Sequence, residues 1–263
     1  FGKMGGDDLT DDMYLRSSIR EPDVEIGLGE VEIDQSLKKR KRNEEDPTVS
    51  NVSQKSETKV LIESGRSVMN YPGDMQAKFL DTVINHYIQI RQGSISRSMK
   101  LHASSLVTCS KGSFCERLKS VVSRTKLKEW NVIGSPMVLI ICLSARRAVE
   151  VLKEISSLKI RCGKFFAKHL SIGAQKDMLK NQAYSIAVGT PNRLNALCDS
   201  ESNEKNSPMN LGNTKLLLLD AFVNQKGFTV FTLPDTAPDT ADFFYNKVLS
   251  QMDSRKDIKI GFI

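Results

Sequence analysis

The run Met137-Val138-Leu139-Ile140-Ile141-Cys142-Leu143 is apolar at every position, with no polar residue alternating through it. Seven residues is the length of a strand, and a strand apolar on both faces needs cover on both. Leu216–Leu219 repeats the pattern and ends in Asp220. Two such strands predict a parallel sheet held between layers of helix. The first run is also the longest apolar stretch in the chain. It falls far short of the roughly 20 residues a helix needs to cross a bilayer, so no membrane partner is expected.

The segments around these strands carry helix signals. Gly73-Asp74 opens a pattern in which Met75, Phe79, Val83, Ile84, Tyr87 and Ile88 recur at three- and four-residue steps, and Gly93 closes it. Residues 94–104 are Ser-rich and read as a loop, with a strand near Ser105–Thr108. Ser113 and Glu116 are spaced as a capping box for a helix with Phe114, Leu118, Val121 and Val122 on one face. Ser144 caps the next helix, which turns Ala148, Val151, Leu152 and Ile155 inward. A strand near Lys164–Lys168, a helix near Gly173–Asn181, a strand at Tyr184–Val188 and a short helix at Arg193–Cys198 follow. Asp199–Asn213 reads as a polar surface loop. Pro238 suits a first helical turn, with Asp239–Met252 continuing it, and Ile258–Ile263 makes a last strand. The alternation predicts an α/β fold: a single parallel sheet flanked by helices.

Charge divides the chain. Lys and Arg number 38 against 31 Asp and Glu, a net charge of +7. Residues 1–57 hold 14 acids and 9 bases, while the remainder holds 17 acids and 29 bases. The first segment has few apolar residues and no sustained period, so it is expected to be a disordered acidic and basic tail. Residues 58–100 form a helical lead-in, and 101–263 the α/β domain. Lys38-Lys39-Arg40-Lys41-Arg42 in the tail reads as a signal for a nuclear import receptor, or as a solvated charge run. No basic–apolar–small leader is visible, so secretion is not expected. The five cysteines form no CxxC, and reduced thiols are the default. His102, Cys109 and Cys115 follow one another at gaps of seven and six residues, outside common zinc spacing, so no metal is expected.

In a doubly wound sheet, ligands gather at the carboxyl ends of the strands. Three strand ends carry distinctive residues: Ser144-Ala145-Arg146-Arg147, Gly189-Thr190-Pro191-Asn192-Arg193-Leu194 and Asp220-Ala221-Phe222-Val223. This order resembles the first RecA-like domain of DEAD-box RNA helicases, over roughly residues 100–263. Ser144-Ala145-Arg146 falls where that family has Pro-Thr-Arg. Thr190-Pro191-Asn192-Arg193 matches its Thr-Pro-Gly-Arg, and Asp220 the first acid of Asp-Glu-Ala-Asp. The departures decide the chemistry. Phosphoryl transfer needs a glycine loop ending in Lys and Ser or Thr. No GxxxxGK[ST] occurs; Cys115 and Glu116 stand where Lys and Thr belong, after Gly112. Ala221 replaces the glutamate that would orient a water. The sequence also stops where a second lobe would start, so closure of two lobes on ATP is not expected.

The chain is similar to the Cms-one-type (CMSS) ribosomal small-subunit protein family. The resemblance rests on Gly134-Ser135-Pro136, Ser144 to Ala148, Lys164 to His169, Val188 to Arg193 and the acidic-then-basic tail. It implies a nucleolar protein of the small-subunit processome, with no enzymatic step and no cofactor. Its implied partners are pre-ribosomal RNA and small-subunit assembly proteins.

Candidate RNA contacts are Arg146, Arg147, Lys168, Thr190, Asn192 and Arg193. Thr supplies a hydroxyl, Arg a planar fork, and a helix start supplies free N–H groups. The alternative is a helix cap with structural arginines. Of Arg146 and Arg147, one can face RNA and the other a neighbouring acid. Asn192 stands where the family has Gly and tolerates left-handed backbone angles. Asp220 reads as a strand-end residue bonded to backbone N–H groups. The stretch with Lys111, Arg117, Lys119, Arg124, Lys126 and Lys128 is either an electrostatic footprint for RNA or a solvated helix face. The resulting function is a non-catalytic pseudo-helicase binding module. The rival readings are a protein-binding scaffold without RNA contact and an ATPase or helicase fragment.

Overall fold

The computed structural model describes residues 48–93, 100–168, 170–199, 207–254 and 257–263, with the side chains of 48–56 left aside. In chain order the elements are α1 (Thr48–Ser67), α2 (Gly73–Gln92), β1 (Leu106–Thr108), α3 (Phe114–Val121), α4 (Arg124–Glu129), β2 (Val138–Ile141), α5 (Ala145–Ile155), β3 (Cys162–Phe165), α6 (Ile172–Asn181), β4 (Ile186–Gly189), α7 (Pro191–Cys198), β5 (Leu216–Leu219), α8 (Ala237–Phe243), α9 (Leu249–Ser254) and β6 (Lys259–Phe262). The six strands make one sheet in the order β1-β6-β5-β2-β4-β3, every pair parallel.

The two apolar runs lie side by side at its centre, with Val138 opposite Leu216 and Ile141 opposite Leu219. Alternation along each strand divides the side chains between two cores. Leu139, Ile141, Leu217 and Leu219 join Phe79, Leu80, Ile84 and Phe243 on the side of α2 and α8. Val138, Ile140, Leu216 and Leu218 join Phe114, Leu118, Val151 and Ile155 on the side of α3 and α5. Both faces are covered, as unbroken apolarity requires. Each such side chain removed from water contributes about 1.5–3 kcal/mol.

Several boundaries differ from those the sequence suggests. A helix begins at Thr48, inside the segment expected to be a tail, and its far end is anchored by buried Leu61. Lys38–Arg42 and His169 lie outside the described residues. Met75, expected to face inward, is 47% exposed. Its neighbour Gln76 is buried instead, donating from Nε2 to Val68 O at 3.2 Å. α4 carries too few apolar residues to announce itself and is held by buried Leu127. β3 ends at Phe165 rather than Lys168, because Gln175 Nε2 draws in the carbonyls of Lys164 (2.8 Å) and Phe166 (3.0 Å). The helix expected over Asp239–Met252 is interrupted by a five-residue π segment, Phe244–Val248. No helix among the described residues is long and apolar enough to cross a membrane.

Candidate nucleic-acid interface

Parallel strands deliver their carboxyl ends to one rim of the sheet. The loop after β1 holds Gly112, whose φ of +129° is open to glycine and strained for other residues. Ser113 then caps α3 with the expected box: its Oγ accepts from Glu116 N at 3.4 Å. Glu116 Oε2 in return accepts from Ser113 N and from Ser113 Oγ, both at 2.8 Å. These bonds hold the Glu116 carboxyl below the usual range. The head of a helix is a ready anion site. Here the chain's own carboxylate occupies it, and a Cβ at position 112 would meet Glu116 Oε2 at 2.6 Å.

At the end of β2, Ser144 Oγ accepts from Arg147 N at 3.2 Å and starts α5. The two arginines then part company. Arg146 is 92% exposed, with Glu150 at 3.6 Å as a loose partner. Arg147 turns inward and is 11% exposed. Its Nε donates to Asp220 Oδ2 at 2.8 Å and its Nη2 to Asp220 Oδ1 at 3.1 Å. Glu150 and Glu154 flank it at 3.5 and 3.3 Å. Phe222 lies against the guanidinium, 4.7 Å from Cζ to ring centroid, and Phe114 at 5.7 Å. Burial opposes the Arg147 charge, yet the bonds and charge of Asp220 outweigh it and raise its pKa above the ordinary value. Burial pushes the Asp220 carboxyl up, and Arg147 pulls it back. So Arg147, a candidate for RNA, is committed within the fold. Asp220 takes a guanidinium where backbone N–H groups alone were expected, with the Phe222 N–H as a lesser partner.

At the end of β4, Gly189 packs too closely for any side chain: a Cβ would lie 2.6 Å from Phe165 O and 2.7 Å from Leu194 Cδ2. Thr190 N donates to that same Phe165 carbonyl at 3.2 Å. Thr190 is the N-cap of α7, with Pro191 in the first turn, but its side chain makes no cap bond. Asn192 is exposed. Arg193 is half-buried, and its Nη1 is a buried donor without a hydrogen-bond partner. Lys168, exposed, stands past the end of β3. The rim thus gathers Arg146, Lys168, Thr190, Asn192 and Arg193 on neighbouring strand ends, and sets Arg147 apart from them.

Sequence reasoning did not pair Arg147 with Asp220. The usable signal was the placement of both residues at the ends of adjacent strands. It read Arg117 only as part of a basic stretch, an RNA footprint or a solvated helix face; its Nε is instead a second buried donor without a partner, and its guanidinium sits 5.6 Å from the Phe114 ring centroid. Among the described residues, no group of three His, Cys, Asp or Glu could hold a metal ion.

Protein CMSS1 of Homo sapiens is 30% identical over 130 residues, 48% of this chain and 44% of that protein. Protein CMSS1 of Danio rerio is 26% identical over 208 residues, 76% of this chain and 68% of that protein. The chain spans less than half the length of the human relative it matches. Among solved structures, a DEAD box protein from the hyperthermophile Methanococcus jannaschii matches with a TM-score of 0.37 and 21% identity, over 57% of this chain and 34% of that one. A family model matches residues 33–263, that of CMS1, described as a U3-containing 90S pre-ribosomal complex subunit. The chain belongs to the CMS1 family.

Proposed function

We propose that this chain is a non-catalytic binding module of early small-subunit assembly, which holds pre-ribosomal RNA on its carboxyl rim. The observation that carries the reading is Arg193: a buried guanidinium nitrogen with no partner, at the head of α7, beside a Thr190 side chain that caps nothing. Buried donors are ordinarily satisfied, and a phosphate oxygen, met by an outward turn of the half-buried Arg193 side chain, supplies what this one lacks. Arg146, Lys168 and Asn192 extend the row for further backbone contacts. The excess of bases over acids beyond residue 57 supplies long-range attraction. ATP chemistry is absent from the reading because Glu116 fills the helix head and Asp220 is tied to Arg147.

The family description supports partners among the proteins of the 90S pre-ribosomal complex, and with them a nucleolar location. Lys38–Arg42 is the proposed contact for the import receptor. A second reading, a scaffold that leaves the RNA face unused, is favoured by a groove of about 530 Å³ whose apolar floor includes Val107, Trp130 and Met137 and whose lining also carries Lys126, Glu129 and Lys215.

Titration of single-stranded RNA across a salt series separates the two. RNA holding predicts log affinity falling linearly with log salt, and loss of binding in Arg146→Glu/Arg193→Glu. Salt-independent binding, or affinity unchanged in the double variant, favours the scaffold.

A further inference from the structure

Among the described residues, Phe222 is the only exposed phenylalanine, 40% accessible, with Val223 exposed beside it. It follows β5 by three residues, on the same rim as Arg146, Thr190 and Arg193. An aromatic ring left in water forgoes the free energy of burial, so its holding in place needs a cause. The holding is firm. Arg147 grips Asp220 at two points, and its guanidinium lies over the Phe222 ring at 4.7 Å. The Phe222 N–H also bonds to the Asp220 carboxylate. One face of the ring is backed by the Arg147 cation, and the residue remains 40% exposed.

We infer that Phe222 is a stacking platform for a base of bound RNA. The inference rests on the rim being the RNA face. The sheet order β5-β2-β4-β3 sets Phe222, Arg146, Thr190 with Arg193, and Lys168 in one row. At about 4.8 Å per strand the row extends on the order of 15 Å. Phosphates seated on the cations would leave a base at the Phe222 end, where every base offers a π-face whatever its identity. A free nucleotide is disfavoured as the source of the base, since the neighbouring helix head is closed by the Glu116 carboxylate, which repels a phosphate tail.

The test uses the full chain and two probes of equal length and charge, a single-stranded RNA and its abasic counterpart. Phe222→Ala is expected to weaken RNA binding about fivefold or more with an unchanged salt slope, and Phe222→Trp to restore it. The abasic strand is expected to bind wild type and Phe222→Ala alike. RNA affinity unchanged in Phe222→Ala, with loss in Arg193→Glu, would overturn the platform and keep the phosphate row. Failure of wild type to bind RNA at any salt would overturn both. Adenosine monophosphate competing as well as the strand itself would overturn the assignment to RNA.

Discussion

Arg147 and Asp220 form a two-point ion pair across the ends of neighbouring strands, with the carboxylate only 1% exposed. Its location is what matters. Asp220 directly follows β5, and Arg147 answers its charge from within the chain. The pair couples α5, β5 and the Phe222 loop into one unit.

Removing one partner strands the other. Arg147→Ala is expected to lower the free energy of unfolding by about 3–5 kcal/mol, read from urea denaturation, because a buried carboxylate remains. Arg147→Met with Asp220→Leu should recover most of that loss. A single variant as stable as wild type would show that the pair contributes nothing.

Gly189→Ala should cost about 1–3 kcal/mol, since the new methyl would meet the Phe165 carbonyl at 2.6 Å, and a backbone atom yields little. The same denaturation measurement checks it, and an unchanged midpoint would mean that β3 can shift away from β4.

The sheet could be read from the sequence because Val138–Ile141 and Leu216–Leu219 are apolar without a break, a pattern that two covered faces require. The α3 cap was equally legible, since Ser113 and Glu116 act within one turn. Long-range side-chain choices were not. Nothing local distinguishes Arg146 from Arg147; the phase of α5 turns one outward and the other onto Asp220, 73 residues away. Likewise Gln76 took the buried place expected for Met75, where its Nε2 reaches the Val68 carbonyl. The free Arg193 nitrogen depends on how α7 packs, which spacing does not encode.

Asp81 makes stability depend on pH. Its carboxylate accepts from Leu101 N at 3.0 and 3.1 Å, and burial pushes its pKa up to about 6. The folded chain therefore binds a proton that the unfolded chain releases between about pH 4 and 6. This contribution is present below that window and is lost as pH rises through it. Asp81→Asn should flatten that part of the pH–stability curve, followed by urea midpoints from pH 4 to 7. An unaltered curve would show that Asp81 titrates normally.

Replacing Lys38–Arg42 with Ala is expected to leave the protein in the cytoplasm. Imaging of a fluorescent fusion in cells checks this, and undiminished nuclear accumulation would remove the cluster from the account.

The central claim is that RNA is held without help from ATP. It is tested most directly by measuring RNA affinity with and without ATP and magnesium. The account predicts equal affinities and no hydrolysis, because the α3 head is closed by Glu116 and Asp220 is bound to Arg147. An affinity that changes on adding ATP, with hydrolysis abolished by Asp220→Ala, would contradict it.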